Sequence, residues 1–161
     1  MLLMVTFVIV ESPYAPKNHD PAVAAVELAR NEAYLSAAMH DCFLRGEVPF
    51  ASHGIYTRKG VLDDTKPEER KLGIEAGFKV AEGLQAAALA LPNFFSFKRL
   101  FYTDRGYSSG MSQGLQDANN RNQVYEMRSL GEKKWSKDHD RLYYLDKDRT
   151  LQRFITNGDP T

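Results

Sequence analysis

Apolar positions in this chain fall into short continuous runs, separated by longer segments in which they recur every three to four residues. Met4 to Val10 is apolar and largely β-branched without alternation, the pattern of a central parallel strand covered on both faces. Glu11-Ser12-Pro13-Tyr14-Ala15-Pro16 ends it as a turn. Asp20 followed by Pro21 is an N-cap with proline at the first helical position. The Ala-rich helix that follows runs towards Arg45, with an expected break near Asn31, and Gly46 supplies its C′ residue. Val48 to Ser52 reads as a second strand, and Gly54 to Asp64 as an excursion.

Thr65-Lys66-Pro67-Glu68 has the form of a capping box and opens a second long helix. Its expected apolar stripe is Leu72, Ala76, Val80, Leu84 and Ala87. After an apolar connector, Ala90 to Phe97, a third strand is expected at Lys98 to Thr103. The turn from Asp104 to Gly110 leads into a third helix with Met111, Leu115 and Ala118 inward, and Gln123 to Arg128 is a fourth strand. Strands alternating with helices imply right-handed crossovers and a parallel sheet. The expected fold is a flavodoxin- or Rossmann-like three-layer α/β sandwich with about 4–5 strands.

Composition narrows the class. The 161 residues suit one ordinary domain, and 43% hydrophobic content fills a core. The pattern divides it into residues 1–131 and a C-terminal extension, 132–161, expected to pack on the domain or on a partner subunit. Twenty-one basic side chains balance twenty-one acidic ones, which argues against a general nucleic-acid or membrane-surface binder. Cys42 stands alone, so no internal disulfide forms and a reducing, cytoplasmic setting is expected. The apolar run at Met1 to Val10 lacks a basic flank and reads as a strand, not a signal peptide or membrane span.

Open α/β sheets bind ligands at the carboxyl ends of their strands. Here those ends carry Ser12-Pro13-Tyr14, Ser52-His53, and Asp104 followed by Tyr107-Ser108-Ser109-Gly110, with Asp63-Asp64 near the same rim. Ser108-Ser109-Gly110 at a helix start offers free N–H groups, a positive dipole end and two hydroxyls to a phosphate or carboxylate. The same residues also make an ordinary Ser N-cap. His53 is the best histidine for acid–base or ligand work, or else a histidine bonded to a loop carbonyl. Glu69 shares a helix stripe with Gly73 and Gly77, and it either faces the pocket or favours the helix dipole. Asp64 is a site candidate or a loop cap. No spacing supports a metal site, and none of the motifs calls for a cofactor.

In order along the chain stand Ile9-Val10-Glu11-Ser12-Pro13-Tyr14, Gly46 to His53, Leu62-Asp63-Asp64 with Pro67-Glu68-Glu69-Arg70 and Gly73-Ile74, then Tyr102-Thr103-Asp104 with Gly106 and Ser109-Gly110-Met111. This set resembles the nucleoside 2-deoxyribosyltransferase-like superfamily, in particular an uncharacterised bacterial and phage branch, over roughly residues 5–130. The resemblance implies a flavodoxin-like sheet, a homo-oligomer (dimer or larger), and cleavage or transfer of the N-glycosidic bond of nucleosides or their monophosphates. It places Ser12, Pro13 and Tyr14 at the base or sugar, and Ser108, Ser109 and Gly110 at the 5′-phosphate site; Met111 beside them and His53 at the rim complete the expected substrate-binding set.

Catalytic members carry a glutamate one turn into that helix, where this chain has Gly114. Glycine brings no side chain to an oxocarbenium-like centre. Another carboxylate, with Asp104, Glu69 and Asp64 as the candidates, then serves in its place. The alternatives are a pocket that binds a nucleotide without cleaving it, as a sensor or sequestering protein, and an interaction domain on the same fold.

Overall fold

The computed structural model describes residues 3–131, Trp135, 143–145 and 151–153. Four strands form one all-parallel sheet: β1 (Val5–Glu11), β2 (Glu47–Phe50), β3 (Phe95–Tyr102) and β4 (Tyr125–Arg128), in the spatial order β2-β1-β3-β4. The longest register joins β1 to β3, from Val5 opposite Phe95 to Glu11 opposite Phe101. Helix α1 (Pro21–Leu44) covers one face of the sheet. A single turn, α2 (Ser52–Ile55), follows β2, and α3 (Pro67–Ala90) and α4 (Ser109–Asn120) cover the other face. The result is the expected three-layer α/β sandwich, with four strands. Beyond it, β5 (Tyr143–Leu145) and β6 (Leu151–Arg153) form an antiparallel pair against α1. The remainder of the expected C-terminal extension lies outside the described residues.

The core divides by strand parity. Val8, Val10, Leu100 and Tyr102 point to α1, where they meet Tyr34, Leu35, Ala38 and Cys42. Trp135 is buried in the same cluster, with its ring edge-on to Tyr34 at 5.1 Å. Ile9 and Phe97 point the other way, to Ala81 and Val80 of α3. Pro49 is tolerated in β2 because that strand is an edge and pairs only with β1.

Several local features depart from the sequence pattern. Helix α1 is continuous through Asn31, whose buried amide donates to the Tyr14 carbonyl at 2.8 Å and accepts from Arg105 Nε at 3.1 Å. Asp20 caps it as expected, accepting from Ala22 and Val23 N–H. The capping box at Thr65 does not form. Lys66 is the N-cap, without a side-chain bond, and Thr65 Oγ1 donates to Asp63 instead. Strand β3 begins at Phe95, inside the expected connector.

Val80 and Leu84 of the expected stripe pack, partly buried, against Ile9, Ala81 and Phe97, but the fully buried line of α3 is made of its small residues. Gly77 and Ala81 are buried while Leu72 is 57% exposed. A Cβ at Gly77 would lie 2.8 Å from Ser52 Oγ and 2.9 Å from Ser52 Cβ, so the missing side chain is what lets α3 cross α2 at that distance. Gly77→Ala is therefore expected to destabilise the fold by about 1–3 kcal/mol through overpacking. Gly83→Ala, with nothing within 4 Å, should stabilise it by about 0.5–1 kcal/mol through the lost flexibility of the unfolded chain. Urea midpoints of the two variants, which should move in opposite directions, check this.

Candidate functional site

Strand order reverses direction between β1 and β3, because the chain steps from β1 to one side and then to the other. In an open parallel sheet this switch point opens a crevice at the carboxyl ends of the strands. A cavity of about 390 Å³ lies there, between the turn after β1, the start of α4, α2 and one flank of α3. Its size falls in the range of small-molecule sites. Ser12, Tyr14, His53, Ser108, Ser109, Gly110 and Met111 all line it. Pro13 is buried behind the wall and does not.

One wall is a ring and hydroxyl surface. Ser12 Oγ and His53 Nε2 are 3.0 Å apart, and the Tyr14 ring meets the imidazole edge-on at 5.5 Å. Thr57 Oγ1 donates to the Tyr14 hydroxyl at 2.8 Å, which fixes the ring. Burial holds His53 at about 4, well below its ordinary 6.5, so at neutral pH it is an uncharged partner for hydrogen bonds and no acid.

The opposite wall is the first turn of α4. Ser108 caps the helix by accepting from Met111 N–H at 3.2 Å. The N–H groups of Ser109 and Gly110 belong to that turn and have no intrahelical acceptor. The Ser108 hydroxyl is thus used by the helix, while Ser109 and Gly110, whose N–H groups have no intrahelical acceptor, line the cavity.

The floor is a charge cluster. Arg99 of β3 is fully buried, a position a cation holds only with counterions. Its Nη2 bonds Glu11 Oε1 at 2.7 Å, its Nη1 bonds Asp117 Oδ2 at 2.8 Å and Gln123 Oε1 at 3.2 Å, and its guanidinium carbon lies 5.3 Å from the centre of the Phe78 ring. Glu11 is the last residue of β1 and lines the cavity. Burial raises its carboxyl pKa, and Arg99 opposes that rise. A Cβ built on Gly114 would lie 3.0 Å from Glu11 Oε1 and 3.1 Å from Arg99 Nη2. Glycine at 114 leaves room for the Glu11 carboxylate, which a Cβ there would press on closely.

Glu11 was not among the carboxylates that the sequence singled out. Asp64 does line the cavity, where burial raises its carboxyl pKa against the pull of Arg70. Asp104 does not. It accepts from Tyr34 at 2.5 Å, Ser129 at 2.6 Å, Leu130 N–H at 2.9 Å and Gly131 N–H at 3.1 Å, tying the end of β3 to α1 and to the segment after β4. Burial alone would raise its pKa, and these donors bring it below the ordinary value. Glu69 lines a neighbouring hollow, where it accepts from Asp63 N–H at 2.7 Å and Lys66 Nζ at 3.0 Å. Both have structural partners that account for them. Among the described residues, no three His, Cys, Asp or Glu side chains gather to hold a metal ion, and no helix is long and apolar enough to cross a membrane.

The profile of a family described as a domain of unknown function, DUF7768, matches residues 6–128, from β1 to the end of β4. The chain belongs to the DUF7768 family. No curated protein and no solved structure matches it. The matched span of the DUF7768 domain contains every residue that lines the switch-point cavity.

The depressed His53 pKa makes a stability prediction for this DUF7768 domain. Between pH 6.5 and about 4 the unfolded chain binds a proton at this imidazole that the folded chain does not. The stability held by neutral His53 is complete above pH 6.5 and falls away as the pH drops towards 4. His53→Asn should flatten that part of the profile, as read from urea midpoints at pH 4–7. An unchanged slope would show that His53 is protonated freely in the fold.

Proposed function

We propose that this protein is a nucleotide-processing enzyme that cleaves or transfers the N-glycosidic bond of a nucleoside or deoxynucleoside monophosphate. The observation that carries the reading is the layout of the switch-point cavity. A helix start with two N–H groups that lack an intrahelical acceptor stands on one side, a Tyr–His–Ser wall on another, and a carboxylate at the floor. Those are the three surfaces that a phosphate, a base and an anomeric carbon require. The resemblance of the ordered motifs to the nucleoside 2-deoxyribosyltransferase-like superfamily supports the same assignment.

In this reading the phosphate is held by the N–H groups of Ser109 and Gly110 and by the Ser109 hydroxyl. The base lies against Tyr14, within reach of the neutral His53–Ser12 pair. Asp64, whose carboxyl burial makes less acidic, hands a proton to the departing base. Neutral His53 recognises by hydrogen bonds and does not titrate during turnover near pH 7.

The test is chromatographic detection of free base after incubation with a panel of ribo- and deoxyribonucleoside monophosphates, with and without an acceptor base. Release from at least one of them is expected. Ser109→Ala should raise KM for that nucleotide about tenfold, the equivalent of roughly 1.4 kcal/mol, because the lost donor meets a charged group. Ser109 is the better choice over Ser108, whose hydroxyl caps the helix. A melting temperature that rises with nucleotide, without any base release, would replace the enzyme by a nucleotide-binding protein with the same pocket.

A further inference from the structure

We propose that Glu11, at the end of β1, is the carboxylate that attacks the anomeric carbon, seated by Arg99 and by the space that Gly114 leaves open. The assignment rests on the glycosidic reading above and names the group that performs its chemistry.

Four observations carry it. The Glu11 side chain lines the cavity, yet only 16% of it is exposed, so it is held at the floor and does not sweep through solvent. One oxygen, Oε1, is fixed by Arg99 Nη2 at 2.7 Å. Among the described residues nothing donates to the other oxygen, Oε2, which leaves it free to react. The carboxylate lies against α4 one turn beyond Ser109 and Gly110, at the point where a side chain on residue 114 would begin. A glutamate reaching in from the strand and a glycine on the helix thus bring one carboxylate to one place, with a Cβ on residue 114 lying only 3.0 Å from Glu11 Oε1.

The chemistry balances. Glu11 Oε2 bonds to C1′ as the C1′–N bond breaks, and the electron pair leaves with the base, which takes the proton from Asp64. The sugar phosphate is then an ester of Glu11. Water, or the ring nitrogen of an acceptor base, attacks C1′ and gives its proton to Asp64, and the ester bond breaks to restore the carboxylate. Arg99 is a positioning residue in this scheme: it holds Oε1 and offsets the charge of the carboxylate before attack and after release. The site then has hydrolysis and base exchange as two fates of one intermediate, decided by what enters after the first base has left.

Two experiments test the assignment. Glu11→Gln keeps the shape and should lower base release by at least a thousandfold, while the nucleotide still raises the melting temperature. Turnover within tenfold of the parent overturns the proposal. Should the variant fold poorly, the parent protein answers the question. Incubated with a 2′-fluoro-arabinosyl nucleoside monophosphate, whose fluorine slows both steps, it should gain the mass of a fluorosugar phosphate on the peptide containing Glu11. An adduct on the Asp64 peptide, or none in a protein that turns over its substrate, overturns the assignment alone. A parent protein that releases no base from any nucleotide overturns the glycosidic reading and this assignment with it.

Discussion

A buried guanidinium governs the upper half of this fold. Arg99 stands in the longest strand, fully enclosed, where an unpaired cation is not tolerated. Its requirement for counterions reaches three elements. Glu11 is drawn from the end of β1, Asp117 from α4, and Gln123 from the turn into β4. Asp117 in turn bonds Arg121 at 2.8 Å, and Arg121 bonds Glu82 of α3 at 3.0 Å. The two helices on that face are therefore linked to the sheet through charge, while the apolar contacts of Ile9, Phe97 and Ala81 supply the burial. The cluster sits where β1 and β3 part, so one set of bonds fixes the helix that ends the cavity and the carboxylate at its floor.

The other face solves a similar problem far from any cavity. Arg128 grips Glu47 with both nitrogens, at 2.8 and 3.1 Å, and Lys98 bridges Glu47 and Glu126 at 3.0 Å each. These pairs span β2, β3 and β4 on the α1 side, crossing beneath β1. They satisfy each other, and nothing in that network lines the cavity. The contrast with Arg99 is informative: there the partner carboxylate, Glu11, lines the cavity, and among the described residues only its Oε1 takes part in the ion pair. Burial of charge alone does not distinguish the two networks; what does is that only one of them has a member lining the switch-point cavity.

Much of the fold was legible because its signals are local. Continuous β-branched runs, the Asp20-Pro21 cap, and Gly46 at φ +73° each act within a few residues. The α3 face was only partly legible from its apolar stripe: Val80 and Leu84 pack on the core, but Leu72 does not. The helix is packed by Gly73, Gly77 and Ala81, and a hydrophobic count sees nothing at glycine. That stripe had a trace in the sequence, in the spacing of Gly73 and Gly77, but its consequence depends on Ser52 arriving from another element. The capping box at Thr65 failed for the opposite reason: its residue types fit, and Asp63 offered Thr65 a nearer acceptor.

The candidate site shows the same division. The rim residues were found because strand ends can be located from sequence, and all but Pro13 of the predicted binding set reach the cavity. The carboxylates were harder, since position along the chain does not report where a side chain is spent. Asp104 stands two residues past the end of β3, yet its oxygens are consumed by Tyr34, Ser129 and two backbone N–H groups. Glu11 looked like the polar end of a strand. Its signal was Arg99, a charged residue directly followed by Leu100 and Phe101 in a strand that lies between β1 and β4. Such a residue demands a carboxylate on the same face of an adjoining strand or helix. Asp117 on α4 and Glu11 on β1 both answer it, and Gly114 on the covering helix leaves the room in which the Glu11 carboxylate sits.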